Sequence, residues 1–284
     1  MAIVFAENGS NQDLPKIKLF QEILPYVYVE NSIIFSEDAD GKKIQIGSKT
    51  FDSDTTTLFR HTPFSWLYHI VRTKDLTFIS PERWSDPFEK LFYDKSLAVN
   101  NQFVNGCLCF TYIRNAGEDG MWKNYKDDKN EPLVKMDFNF MDLMKQLSLM
   151  MVDLGGNASI YITLVDYSYD RKDILSLYKK IGGKYASIEE YLTCLSIKRK
   201  AFDNENEVRI FLISDNQDFD TTMHTFDVDS CIKRVTIQPL PFLYQDCRSS
   251  YYHNLQDIYH EGMKNWMKMN MKGQVHQSHL YDNI

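Results

Sequence analysis

The chain has 284 residues, 43% hydrophobic and 14% aromatic, enough for a sizeable core and too apolar for a disordered chain. Its formal net charge of −7 and pI near 5.5 argue against a protein that coats nucleic acid or anionic membrane. No apolar run approaches the roughly 20 residues a membrane-spanning helix needs, the five cysteines are scattered, and "MAIVFAENGS" lacks a signal-peptide pattern. The expectation is a soluble, cytoplasmic protein without a membrane partner.

Residues 1–50 read as an N-terminal appendage, with a short helix over 15–24 and two β-rich runs around Asp38-Ala39-Asp40-Gly41. The Asp-Gly pair predicts a hairpin turn, because glycine tolerates positive φ. "SKTFDSDTTT" reads as a connector to a main domain over 51–284. That domain opens on "LFRHT" as a short strand. Thr62 then reads as N-cap and Pro63 as first residue of a helix whose apolar face is Phe64, Leu67, Tyr68 and Val71.

"LTFIS" predicts a strand, and "SDPFEKLFYD" a helix with Asp86 and Glu89 at capping-box spacing. "GCLCFTYI" reads as a strand with Cys107 and Cys109 as small buried thiols on one face, not at C-x-x-C spacing. "MDLMKQLSLMMVDLGG" follows as a helix stopped by Gly155, and "SIYITLVDY" as a strand. Helices are expected over 171–181 and 187–200, the second marked by Ile188, Tyr191, Leu192 and Leu195. The basic run Lys198-Arg199-Lys200 falls late in it, as a favourable helix-end charge set.

Residues 205–213 predict a strand. Period two places Val208, Ile210 and Leu212 on a core face and Glu205, Glu207 and Arg209 on the opposite one. "CIKRVTIQ" and "VHQSHLY" read as strands flanking a long helix within 250–271. Helices and strands mix without strict βαβ alternation, which favours α+β.

No Walker phosphate loop, dinucleotide fingerprint or nucleophile elbow occurs. His276 and His279 point to opposite faces of a strand, so no metal site is expected there. Three segments remain: "LFRHT" with Arg60 and His61, "CFTYIRNAGEDGMWKNY" with Thr111, Trp122 and Tyr125, and "ENEVR". Each also has a plain structural reading. The acidic stripe could be a solvated face with weak ion pairs, Asp86 and Glu89 a capping box, and the tryptophans core.

"ERWSDPFE", "CFT" before "MWKNY", and "KRKAFDNENEVRI" together resemble the signature stations of a large bacterial domain-of-unknown-function family, itself similar to abortive-infection proteins of phage defence. The resemblance spans roughly residues 55–284. Ser85 stands where that family usually has asparagine, Thr111 where it has serine, and Phe202 near its usual tryptophan. A second resemblance is to ADP-ribosyltransferases, which carry Arg or His on a first strand, Ser, Thr or Tyr on a second, and Glu on a third. Arg60, Thr111 and Glu205-Asn206-Glu207 match in type and order.

That second resemblance implies an ADP-ribosyltransferase-like split mixed β-sheet with flanking helices, and NAD as the substrate. It implies transfer of ADP-ribose to a macromolecular acceptor, protein or nucleic acid, or hydrolysis of NAD, in a toxin or phage-defence setting. Glu207 would stabilise the positive charge that develops on the ribose, and Glu205 would orient or deprotonate the acceptor. Arg60 would hold the pyrophosphate, Thr111 a ribose hydroxyl, and Trp122 or Tyr125 a ring, with His61 and Arg209 also in the cofactor-binding set. The rival expectation is a non-catalytic recognition module whose Trp- and Tyr-bearing loops bind a protein or nucleic-acid partner.

Overall fold

The computed structural model describes residues 27–29, 34–38, 41–46, 49–52, 55–113, 118–124, 131–153, 158–239 and 250–278. The expected helix over 15–24, the Gly155 stop, His279 and Tyr125 lie outside them. In chain order the strands are β1 (Val27–Val29), β2 (Ile34–Asp38), β3 (Gly41–Ile46), β4 (Lys49–Asp52), β5 (Thr57–Pro63), β6 (Leu76–Thr77), β7 (Phe103–Thr111) and β8 (Leu133–Asn139). They continue as β9 (Ala158–Leu164), β10 (Asp166–Tyr169), β11 (Ile197–Arg199), β12 (Glu207–Ser214), β13 (Thr222–Met223), β14 (Ile232–Ile237) and β15 (Gln274–Gln277). The helices are α1 (Phe64–Thr73), α2 (Glu118–Asn124), α3 (Phe140–Asp153), α4 (Arg171–Ile181), α5 (Ile188–Leu195), α6 (Val228–Cys231) and α7 (Ser250–Asn270).

The fold is α+β, built on a mainly antiparallel sheet in the order β1-β9-β12-β7-β5-β8-β14-β15. Its alternation is that of the sequence. Val208, Ile210 and Leu212 enter one core with Leu108, Phe110, Met136 and Phe138, covered by α1, α3 and α7. Phe211 and Ile213 enter a second core on the other face, against Ile174 of α4 and Tyr191, Leu192 and Leu195 of α5. Each such aliphatic or aromatic side chain contributes about 1.5–3 kcal/mol when fully buried. β12 is therefore covered on both faces, and every one of its residues is buried. A solvated stripe along it is excluded.

The sheet is split in the middle. β5 and β7 share one registered pair, Phe59 with Thr111, whereas β5 runs beside β8 over seven pairs, Thr57–Asn139 to Pro63–Leu133. Past that single pair the two strands part, and Ile79 bridges Cys107 instead. The gap forms a cleft.

Several expected elements stand as read. β2 and β3 form the Asp38–Gly41 hairpin, and α4 begins at an Asp170–Asp173 capping box and ends at Gly182, whose φ of +60° suits glycine. Others differ. "SKTFDSDTTT" is not only a connector: its first half is β4, paired with β3. Within residues 1–50, β1 pairs in parallel with β9 at the edge of the main sheet, and Ile46 joins the first core. Strand β8 is not among the expected elements, although Val134, Met136 and Phe138 alternate with Lys135, Asp137 and Asn139 at the period of a strand.

α1 starts after Pro63, with no cap from Thr62; the Glu131 carboxylate accepts from the Ser65 hydroxyl at 2.9 Å instead. Its buried face is Leu67, Ile70 and Val71, while Tyr68 is exposed and packs on Trp266 at 4.8 Å. The expected helix over 187–200 ends at Leu195, because Ile197 turns into β11 and pairs with Asp166.

Candidate functional site

The "SDPFE" segment forms turns, not a helix. Asp86 Oδ1 accepts the Phe88 amide at 3.0 Å, while its Oδ2 accepts from Arg199 Nε at 2.9 Å. Glu89 caps nothing. Its carboxylate takes Lys198 Nζ at 3.1 Å and the Arg209 guanidinium. Long-range ion pairs have claimed the residues that a local reading assigns to a helix start.

Strand β12 begins at Glu207, not at 205. Lys200–Glu205 is a 3-10 helix closed by Asn206 at φ +46°, a left-handed position that asparagine tolerates. Glu205 and Glu207 therefore do not share a face through the pleat. They meet because this turn folds Glu205 back towards Lys198. Lys198 donates to Glu205, and to Glu207 at 3.2 Å. Arg209 donates to Glu207 through Nε at 3.2 Å and Nη2 at 3.0 Å, and its Nη1 donates to the Leu195 carbonyl. Its guanidinium also lies 4.2 Å from the Trp84 ring centroid. Arg209 is 0% exposed, Glu205 2% and Glu207 3%. Lys198 and Arg199 are not helix-end charges: they lie in β11, and Lys198 joins three carboxylates.

The two glutamates are driven apart in protonation. Burial raises the Glu205 carboxyl, the Glu207 charge adds to it, and Lys198 only partly offsets them, leaving it at about 7. Burial opposes ionisation of Glu207 too, but Lys198 and Arg209 outweigh it and hold the group at about 2. Glu205 is thus the member of the pair that holds a proton below about pH 7, where it hydrogen-bonds to the ionised Glu207. With Glu205 neutral, Lys198, Arg199 and Arg209 are balanced by Asp86, Glu89 and Glu207, so the buried cluster carries no net charge.

This has a measurable consequence. A carboxyl raised in the folded state binds a proton that the unfolded chain has already released, so stability falls as pH rises from about 4.5 to about 7. Above that range the contribution is constant. Melting temperatures of wild type and Glu205→Gln, compared from pH 4.5 to 8, should show wild type losing ground to the variant up to about 7. Parallel curves would contradict this reading of Glu205.

The cluster forms one wall of a cleft of about 490 Å3 in the split of the sheet. Glu205, Glu207, Glu89 and Lys198 line it, as do Arg60 and His61 of β5. Trp66, 36% exposed, and Arg83 also border it. Arg60 sits 6.0 Å from the Phe110 ring. His61 is buried edge-on to Trp122 at 4.7 Å; burial, with the Lys135 charge, lowers it to about 3, so at neutral pH it brings no charge to an anion.

Thr111 pairs with Glu207 across the ladder but does not line the cleft; its hydroxyl is engaged by the Ile113 amide at 3.4 Å. Trp122 is buried and packs on His61, not in the cleft wall. The structure thus brings Arg60, His61, Glu205 and Glu207 to one cleft, with Arg209 beneath it, and leaves Thr111 and Trp122 behind it. Reading by segment missed Lys198, Glu89, Trp84 and Arg83. The "KRKAF" and "DPFE" stations held the first two, but nothing local marked them as partners.

A second concavity of about 620 Å3 is lined by Phe51, Tyr112, Asp137, Lys233 and Arg234, among others. Its charges pair with acids, Lys233 with Asp142 at 3.1 Å and Arg234 with Asp137 at 3.9 Å. Among the described residues no helix is long and apolar enough to cross a membrane, and no cluster of three His, Cys, Asp or Glu side chains could hold a metal. No family model and no curated protein matches the chain.

Proposed function

We propose that the cleft binds a nucleotide and cleaves its glycosidic bond, with NAD as substrate and ADP-ribose passed to a macromolecular acceptor or to water. One observation carries this reading: Glu205 and Glu207 share Lys198 in the lining of a cleft that also holds Arg60 and Arg83, and burial and neighbouring charges drive their protonation apart. One carboxylate ionised to face developing ribose charge, beside a second that exchanges a proton near neutral pH, is a pairing that glycosidic chemistry uses.

Arg60 and Arg83 bind phosphates by charge-assisted hydrogen bonds, and Trp66 offers a ring face to a base. Glu207, fixed by Lys198 and Arg209, is preorganised to stabilise positive charge on the ribose more in the transition state than in the ground state. Glu205, whose carboxyl is raised to about 7, acts in its ionised form and takes the proton of the attacking hydroxyl or water. The split sheet supports an ADP-ribosyltransferase-like fold. The stations resembling the bacterial family of unknown function, Asp86 and Glu89 with Glu205, Glu207 and Arg209, meet in one cluster, which supports reading them as one unit, and that family's likeness to abortive-infection proteins supports a toxin or defence effector.

The test is direct. Purified protein supplied with NAD, cell lysate, DNA and RNA should release nicotinamide above a buffer control. The recognition-module reading rests on the charge compensation of the buried cluster, which makes it a self-sufficient structural core. Absence of nicotinamide with every acceptor, together with binding of a macromolecule from the same mixtures, decides for it.

A further inference from the structure

Cys107 and Cys109 share a face of β7, since residues two apart in a strand point the same way. Their sulfurs lie 3.8 Å apart. Both border the cleft, Cys107 buried and Cys109 half-buried. Across the ladder Cys109 stands opposite Arg209, and Thr111, two residues on, stands opposite Glu207. The proposed reaction uses neither thiol.

We propose that this pair is a reversible oxidation site, a dithiol in the cleft wall that a peroxide converts to a disulfide. Cys109 is the sulfur that an oxidant entering the cleft meets. It attacks the peroxide O–O bond, which gives a Cys109 sulfenic acid and one water. Cys107, in contact with it, then attacks that sulfur. The S–O bond breaks as the S–S bond forms, and the departing hydroxide leaves with the Cys107 proton as a second water. The peroxide gains two electrons and the two thiols lose two. Burial pushes the Cys107 thiol well up, which disfavours it as the first nucleophile, and its contact with Cys109 is what brings about the second step.

Closure has a structural cost. A disulfide needs its sulfurs about 2.05 Å apart and its Cα atoms within about 6.8 Å, whereas strand residues two apart are already separated by about 6.8 Å. The bond therefore draws in β7 at Cys107–Cys109 and shifts Thr111 with its partner Glu207. A displacement of about 1 Å at reacting groups costs on the order of 10²-fold in rate. That consequence rests on the glycosidic reading; the thiol chemistry does not.

The full chain is treated with hydrogen peroxide, alkylated and mapped by mass spectrometry. The peptide holding both cysteines should be two hydrogens lighter and unalkylated, and dithiothreitol should restore two alkylatable thiols. Cys107→Ser should leave Cys109 as a sulfenic acid trapped by dimedone. Two alkylated thiols after peroxide, or Cys109 as sulfinic acid beside an alkylated Cys107, overturns the proposal. Nicotinamide release by oxidised wild type should fall about 10²-fold and return on reduction. If the reduced protein releases none, the glycosidic reading fails, and the mass of the peptide still decides the disulfide.

Discussion

Glu207→Gln is expected to lower NAD cleavage by about 10²–10³-fold, the loss that follows removal of one preorganised electrostatic group. Glutamine keeps the shape but not the charge, so hydrolysis and transfer should fall together. Glu205→Gln should differ. Water can still attack the ribose, so slow hydrolysis survives, while transfer to the acceptor falls because its proton has no base. The positions of the two groups agree with this division: Glu207 is the ionised member, and Glu205 is the one poised near pH 7.

Folding must be measured alongside. Glu207 neutralises Lys198 and Arg209, and its loss leaves Arg209 to Glu89 and Lys198 to Glu89 and Glu205. A rate loss therefore counts only in protein whose near-ultraviolet circular dichroism and melting transition match a folded reference. Equal losses of hydrolysis and transfer in both variants would refute the division of labour. Unchanged activity in both, with the fold intact, would leave the glutamates a structural role alone.

Arg209→Leu is expected to be the most destabilising of these substitutions, by about 3–5 kcal/mol, as for removal of one partner from a buried ion pair. Arg209 is 0% exposed and holds Glu89, Glu207 and the Leu195 carbonyl at once while stacked on Trp84. Leucine leaves two carboxylates to Lys198 alone and a carbonyl without its donor. Arg209→Lys keeps the charge but not the planar fork, so it should recover only part of the loss. Urea denaturation gives the answer through the midpoint at constant slope. A change below about 1 kcal/mol would mean that the pairs contribute no more than surface ones.

Much of the scaffold was legible because its causes are local. The period-two run in β12, the helix over 171–181 and the Asp-Gly hairpin each depend on residues within a few positions of one another. The chain order of Arg60 and the two glutamates was equally plain, and all three line one cleft. Their arrangement was not. Asp86 and Glu89 satisfy a capping box on paper, yet their partners Arg199 and Arg209 lie 113 and 120 residues away.

Lys198 likewise looked like a helix-end charge, since no sequence signal shows that the chain turns at Ser196 into β11. Asn206 placed both glutamates beside that lysine by a left-handed turn, where alternation predicts a shared face. Local propensities are worth a few tenths of a kcal/mol to about 1 kcal/mol each. An unpaired buried charge costs several, so where the two conflict the tertiary pairing of charges decides the backbone, and only the folded structure reveals which charges are buried together.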